Sequence, residues 1–114
     1  MTDKKHILSK DSRQAVEEMI KITEELVSRM EVETSAVATN DGTTFTMNEM
    51  NKEHVADMYT EAAAEFRARL DEFHDVDKAL IQKLDKAQQS LGQSTKNNLA
   101  ILEKISAEEE EKNK

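Results

Sequence analysis

The side chains best suited to chemistry in this chain are three histidines, His6, His54 and His74. A di-metal site inside a helical bundle needs a Glu-x-x-His pair on each of two helices. No histidine here follows a glutamate by three residues. Asp71 and His74 have this spacing, but one such pair is more typical of a surface or capping interaction than of half a metal site. We therefore expect no metal site.

The sequence also lacks the other motifs that carry catalysis or bind cofactors. It has no cysteine, so neither a thiolate metal site nor a disulfide scaffold is available. There is no glycine-rich phosphate loop and no Gly-x-Ser-x-Gly, and Asp41-Gly42 lacks the ladder of Asp and Asn residues that makes a calcium loop. Because nothing activates a nucleophile, we expect a protein that is not an enzyme and uses no cofactor.

The charge of the chain narrows the classes of partner. The 114 residues carry a net charge of −8. No basic patch can neutralise phosphate groups, so we expect neither nucleic acid nor a membrane surface as a partner. No apolar run approaches the roughly 20 residues that span a bilayer, and the first eight residues contain no apolar signal core. These features, with the absence of cysteine, favour a cytoplasmic protein that binds other proteins.

The near absence of turn-forming residues predicts long helices. Proline is absent and glycine occurs twice, whereas good helix formers are abundant. A hydrophobic fraction of 37% and a charged fraction of 35% suit the thin apolar seam of coiled coils and elongated bundles. We predict an all-α fold, an elongated antiparallel helical hairpin with a third long helix. A loose arm (1–9) and a frayed charged tail (108–114) should flank one domain (10–107), with helices at about 11–38, 46–74 and 75–107.

The first helix should begin at Asp11 and end near Ala38. Asp11 is a good N-cap, and Gln14 follows at the spacing of a capping box. Apolar residues, among them Leu26, then recur at three-and-four spacing and form one helix stripe. In the loop Asn40-Asp41-Gly42, glycine tolerates the left-handed conformation that closes a helix. The loop is short enough to reverse the chain.

One acid, Glu33, stands at a core-register position of this first helix. Because helical register is soft, we favour a rotation that takes Glu33 to the edge of the seam. The alternative is a buried Glu33, which needs a partner and sets the register of the helices at a cost in stability.

The second helix has the clearest start signal in the sequence. The run from Thr46 to Glu49 is a capping box, in which both side chains satisfy free backbone N–H groups. Phe45 and Met50 stand at the positions of a hydrophobic staple. The apolar stripe that follows includes Phe66 and should bury against the first helix.

The region from residue 71 to 77 favours a break in the chain. Asp71, Asp75 and Asp77 are poor residues inside a helix and good caps. We prefer a third helix capped by Asp75. The alternative is a single bent helix from Met47 to Leu91.

The last helix carries the candidate partner site. A polar stretch, Gly92–Asn98, is followed by a dense apolar patch, Leu99–Leu102. The patch either packs as core or is left open for a helix of another protein. The polar stretch favours the second, because it makes the patch a separable segment. The candidate partner-binding residues are Leu91, Thr95, Asn98, Leu99, Ile101, Leu102 and Ile105.

Six methionines occur in the chain, and Met47, Met50 and Met58 share one stripe of the second helix. Methionine fills irregular gaps in a core, and it also forms adaptable surfaces for varied partner helices. Their position on the stripe favours core.

A distributed pattern from about residue 16 to 105 suggests a family. Its order is an acid-containing helix end, a short loop with an aspartate, a helix start with methionine and lysine, and an asparagine-leucine stretch in the last helix. The stretches that carry it are Glu31–Val37, Asn40–Gly42, Met47 with Met50 and Lys52, Met58-Tyr59, and Lys96–Leu102. This pattern resembles FlgN-type flagellar export chaperones, particularly the divergent alphaproteobacterial kind.

The resemblance implies a cytoplasmic helical chaperone. Such a protein holds the terminal helices of hook–filament junction proteins unpolymerised and delivers them to the type III export gate. A client helix of this kind needs an apolar groove, which the last helix offers. The alternative is a structural coiled-coil protein whose seams bury against a second copy of itself, without a client.

Overall fold

Three long α-helices make up the fold. The computed structural model describes the backbone of residues 6–112 and the side chains of residues 6–108. Its helices are α1 (Ser12–Ala38), α2 (Gly42–Ala68) and α3 (Lys78–Lys112), with a 3-10 turn, Leu70–Phe73, before α3. The described residues contain no strand. The predicted all-α hairpin with a third long helix is confirmed. Parts of the predicted arm and tail, residues 1–5 and 113–114, lie outside the described residues.

α1 begins after Asp11 and ends at Ala38, as the sequence predicts, but the residue that adopts the left-handed conformation after it is a different one. Asp11 caps its N-terminus by accepting a hydrogen bond from the backbone N–H of Gln14 at 2.9 Å. After the helix, Asn40 adopts the left-handed conformation, with a φ of 58°. Asparagine tolerates this conformation better than most residues. The prediction that Gly42 closes the helix is therefore wrong.

α2 begins four residues earlier than predicted. Its N-cap is Asp41, which accepts hydrogen bonds from the hydroxyl (2.6 Å) and the backbone N–H (3.1 Å) of Thr44. These bonds lower the pKa of the Asp41 carboxyl. Thr46 lies inside the helix and donates to the carbonyl of Gly42 at 2.9 Å. The predicted capping box is wrong, because Asp41 supplies a good cap and the longer helix pairs more backbone groups.

The hydrophobic staple and the buried methionines predicted for the start of α2 are also not found in the structure. Phe45 is half-buried, whereas Met50 is 77% exposed and Met47 is 68% exposed. A hydrophobic staple between Phe45 and Met50 is therefore absent from this start, and the prediction of Met47 and Met50 as core is wrong. Glu49, expected in the capping box, instead has its side chain beside Lys52. Met58 is half-buried.

Removing the cap tests where α2 begins. We expect Asp41→Ala to lower the thermal unfolding midpoint, because both hydrogen bonds to Thr44 are lost. Thr46→Ala should leave the midpoint nearly unchanged, because its hydroxyl bonds only a carbonyl already within the helix. Thermal melts followed by circular dichroism measure both variants. The reverse order of effects would place the helix start at Thr46.

A break separates α2 from α3. The side-chain carboxylate of Asp77 accepts a hydrogen bond from the backbone N–H of Ala79 at 3.1 Å, at the start of α3. The preferred prediction of a separate third helix is confirmed, and the single bent helix is excluded. The cap is Asp77 rather than the predicted Asp75, because Asp77 directly precedes the first helical residue.

α1 is the central helix of the fold. α2 runs antiparallel to it and α3 runs parallel to it, and both pack along its length. In the described part of the chain, α2 and α3 contact each other much less. The shortest extent of the molecule is 21 Å, which is about two helix diameters. This arrangement leaves a groove between α2 and α3.

Among the described side chains, the apolar core forms two clusters along α1. The first contains Leu8, Ala15, Val16, Met19, Ile20, Ile22, Ala62, Phe73 and Leu84. The second contains Leu26, Val55 and Leu91, one residue from each helix. Leu26 is buried as predicted, whereas Phe66 is half-buried at the edge of the first cluster.

Residues 7–9 belong to the fold and are not a loose arm. Leu8 is buried in the first core cluster. The backbone N–H groups of Ile7 and Leu8 donate to the carboxylate of Glu65 at 2.8 and 3.1 Å, and Arg69 donates to the carbonyl of Ser9 at 2.7 Å. The prediction of a loose arm is wrong for these residues, because Ile7 and Leu8 pack on the first core cluster and Ser9 donates hydrogen bonds to Glu18.

Candidate functional site

The predicted partner-binding residues of α3 divide between core and surface. Leu91 and Asn98 are buried within the chain. Thr95 is half-buried, and its hydroxyl donates to the carbonyl of Leu91 at 2.8 Å. The prediction is wrong for Leu91 and Asn98, because α3 uses this side of the helix to pack on α1.

The remaining predicted residues keep more contact with solvent. Leu99 is 53% exposed and Leu102 is 40% exposed, and Ile101 and Ile105 are half-buried. Leu102 and Ile105 line an apolar groove of about 250 Å³, together with Phe45 of α2 and the end of α1. The patch that follows Asn98 is therefore partly open.

A second apolar groove lies at the other end of α2, and sequence reasoning missed it. Its volume is about 350 Å³. The Phe66 and Phe73 rings stack in its wall with centroids 4.3 Å apart. Leu70, at its rim, is 55% exposed. The lining residues are Phe66, Leu70, Phe73, Ile81 and Leu84, with His74, Asp85 and Gln88 as the polar part.

One face of α2 and one face of α3 lie between the two grooves. Residues at three-and-four spacing share a helix face. On α2 these are Phe45, Glu49, Lys52, Ala56, Tyr59, Ala63 and Phe66, and Leu70 of the 3-10 turn continues the strip beyond the end of α2. On α3 they are Ile81, Asp85, Gln88, Gly92, Thr95, Leu99, Leu102 and Ser106. At the centre, the hydroxyl of Tyr59 donates to Oε1 of Gln88 at 2.6 Å, which fixes the antiparallel register. We call this strip, with an apolar groove at each end, the α2–α3 groove.

Two small residues, Ala56 of α2 and Gly92 of α3, lie beside this central hydrogen bond. The register places Ala56 opposite Gly92. A Cβ atom added at Gly92 would meet nothing within 4 Å, and Gly92 has no positive φ. Neither packing nor backbone conformation therefore requires glycine here. The space above Gly92 is open to a side chain from another molecule.

A buried polar cluster lies where the wall of the groove meets α1. The side chain of Glu33 is 2% exposed, and its Oε2 atom lies 2.5 Å from Nζ of Lys52. Lys52 also lies 3.2 Å from Glu49. The prediction that Glu33 rotates to the edge is wrong, and the alternative of a buried acid with a partner is correct. The long side chain of Lys52 reaches Glu33 from α2 and supplies the compensating charge.

Hydrogen bonds set the protonation of this cluster. Burial opposes the ionisation of Glu33, but hydrogen bonds to Glu49, Lys52 and Asn98 outweigh it and hold the pKa of Glu33 below its ordinary value. The hydrogen bond to Glu33, together with burial, raises the pKa of Glu49. Burial disfavours the charged form of Lys52, but its hydrogen bonds to Glu33 and Glu49 raise its pKa. Of the two carboxyl groups, Glu33 therefore ionises more readily than a free glutamate, and Glu49 holds its proton more strongly than a free glutamate.

The two carboxyl groups should give opposite dependences of stability on pH. Because the pKa of Glu49 is raised, the folded state gains stability as the pH falls from neutral toward the ordinary value of 4.5. Because the pKa of Glu33 is lowered, stability is lost as the pH falls below 4.5. We expect Glu49→Gln to remove the gain and keep the loss.

Urea unfolding of wild type and Glu49→Gln across both pH ranges measures this dependence. The difference between the two proteins isolates Glu49 from the many exposed acids. A constant difference at every pH would show that the Glu49 carboxyl does not share the site of Glu33.

Other kinds of site have no support among the described residues. No described helix has an apolar stretch long enough to cross a membrane. Within residues 6–108, no group of three acidic or histidine side chains is placed to hold a metal ion. No protein-family model, curated protein or solved structure matches this chain.

Proposed function

We propose that this protein binds an amphipathic helix of another protein in the α2–α3 groove. The observation that carries the proposal is the unequal packing of the three helices. α1 is covered by both of its neighbours, while the facing strips of α2 and α3 have little contact with each other. Leu70, Leu99 and Leu102 on these strips keep 40–55% of their surface exposed. A fourth helix would cover these apolar side chains and complete a four-helix bundle.

The charge of the protein indicates the chemistry of that helix. The chain carries a net charge of −8. Among the described residues of the groove, Asp85 is acidic, and the positive charge on Lys52 is already paired with Glu33. A partner helix with lysine or arginine beside its apolar face complements this surface, and an acidic helix is repelled.

At the level of biological role, we propose a cytoplasmic export chaperone. The resemblance to FlgN-type chaperones supports this role, since their clients are the terminal helices of hook–filament junction proteins. The α2–α3 groove offers the open apolar surface that such a client needs. The chaperone would keep the client helix unpolymerised until it reaches the type III export gate.

The competing proposal is a structural coiled-coil protein in which a second copy fills the groove. The alternating three-and-four spacing of both strips is compatible with it. The net charge of −8 on each copy opposes it, because two acidic surfaces repel each other. Sedimentation measurements of the isolated protein distinguish the two proposals: a chaperone waiting for a client is monomeric, whereas a scaffold is a stable homo-oligomer.

Substitution of Gly92 tests the groove without disturbing the fold. The probe is a synthetic helical peptide of about 20 residues, with leucine on one face and lysine and arginine beside it. Gly92→Leu should abolish its binding, because the new side chain fills the open space in the groove. Gly92→Ala is the matched control and should retain binding, because a methyl group adds little bulk.

Both substitutions should stabilise the fold, Gly92→Ala by about 0.5–1 kcal/mol, because glycine is a poor helix former and no neighbouring atom obstructs the added carbon. Fluorescence anisotropy measures the binding, and urea unfolding measures the stability. Undiminished binding to Gly92→Leu would place the partner site elsewhere.

A further inference from the structure

The α2–α3 groove is apolar at its two ends and polar at its centre. The register set by Tyr59 and Gln88 places Phe66 opposite Ile81 at one end, where both line the same groove. It places Phe45 opposite Leu102 at the other end, where both line the second groove. From Ile81 to Leu102, α3 rises about 30 Å. A helix that contacts both apolar ends therefore needs about 20 residues.

The central polar groups keep unused hydrogen-bonding capacity. The hydroxyl of Tyr59 donates to Gln88, and Nε2 of Gln88 donates to the hydroxyl of Thr23 at 3.0 Å. Thr23 in turn donates to the carbonyl of Met19. The Tyr59 oxygen can still accept, and the Gln88 amide still has a second N–H. Both residues are half-buried at the centre of the groove. An apolar side chain packed over these two groups would displace the water that hydrogen-bonds to them. It would offer no hydrogen bond in its place.

We infer that the groove selects a partner helix of about 20 residues that is apolar at both ends of its docking face and carries a hydrogen-bonding side chain at its centre. This inference rests on the proposed function and names the pattern of the partner. The polar centre sets the register of the partner helix along the groove, in the same way that a single buried asparagine sets the register of a coiled coil. The two apolar ends supply the contact area, and neither end alone spans the groove.

Two peptides that differ at one position test the inference. Both have about 20 residues, the same apolar ends and the same basic flanks. The central residue of the docking face is glutamine in one peptide and leucine in the other. With the whole 114-residue chain, the glutamine peptide should bind about tenfold more tightly by fluorescence anisotropy, because the leucine peptide leaves the Tyr59 and Gln88 groups without partners. A peptide of half the length should bind far more weakly than either.

A protein variant provides the matched control. Tyr59→Phe combined with Gln88→Leu removes both polar groups, and Thr23 keeps its bond to Met19. This double variant should lose the preference for glutamine or reverse it, and circular dichroism checks that it is folded. If it is unfolded, Gln88→Met alone replaces it in the same comparison.

The outcomes separate the inference from the proposed function. If the wild type binds both peptides equally and Gly92→Leu blocks both, the groove binds helices but does not discriminate between glutamine and leucine at the central position of the peptide. The inference is then overturned. If no peptide binds and the protein stays monomeric, the proposed function itself fails. If no peptide binds and the protein forms dimers, a second copy occupies the groove, and both the inference and the chaperone role are overturned.

Discussion

Lys52→Met should lower the free energy of unfolding by roughly 3–5 kcal/mol near pH 7, because it removes one partner of a buried ion pair. The substitution keeps the length of the side chain and removes the ammonium group that lies 2.5 Å from Glu33. Glu33 is then a buried carboxylate without its cation. Urea unfolding followed by circular dichroism measures the loss. The loss should shrink at lower pH, because Glu33 can neutralise itself by binding a proton.

A double variant separates the charge from the packing. Glu33→Met combined with Lys52→Met replaces the ion pair by two apolar side chains, which often stabilise a protein as well as the pair they replace. We expect it to recover most of the stability that Lys52→Met loses. If the double variant is no more stable than the single one, the loss comes from packing. If Lys52→Met unfolds like the wild type, Glu33 is not held by Lys52.

Leu26→Ala should lower the free energy of unfolding by roughly 2–5 kcal/mol, the range for a leucine truncated inside a core. Leu26 is buried in the cluster that joins all three helices through Val55 and Leu91. The sequence predicted that Phe66 is buried as well, but Phe66 is half-buried in the wall of the groove. We now expect Phe66→Ala to cost less than Leu26→Ala.

Met50→Ala is the control for these two variants. Its side chain is 77% exposed, so it should change stability by no more than about 0.5 kcal/mol. Chemical unfolding at one temperature compares all three. A Met50→Ala effect as large as that of Leu26→Ala would mean that the assigned faces of α1 and α2 are wrong.

Long-range periodicity was enough to predict the fold, and local signals were not enough to place every boundary. The near absence of proline and glycine predicted long helices, and the aspartates near residue 75 predicted the break before α3. The start of α2 was misplaced because Asp41 and Thr46 are both good caps, and the sequence does not show which carbonyls remain free. Leu8 was missed because two apolar residues form no period, although they cover the end of a core.

The candidate site was predicted in part, for an identifiable physical reason. One apolar stripe was assigned to each helix, whereas α2 and α3 each have two: one packs on α1, and the other faces the groove. Leu91 and Asn98 belong to the first stripe of α3, and Leu99 belongs to the second. The strip through Phe45, Tyr59 and Phe66 could have been found as a second period. Glu33 was misplaced because the reach of Lys52 from another helix is a property of the tertiary structure.

Photo-cross-linking tests most directly whether a partner helix docks in the α2–α3 groove. The photoreactive amino acid benzoylphenylalanine replaces Leu99 in the groove or Met50 on the other exposed apolar face of α2, in the whole 114-residue chain. The probe is the peptide with apolar ends and a central glutamine. A covalent adduct with the peptide at position 99, and none at position 50, is the predicted result. An adduct at position 50 alone, or a covalent dimer of the protein without peptide, would contradict the account.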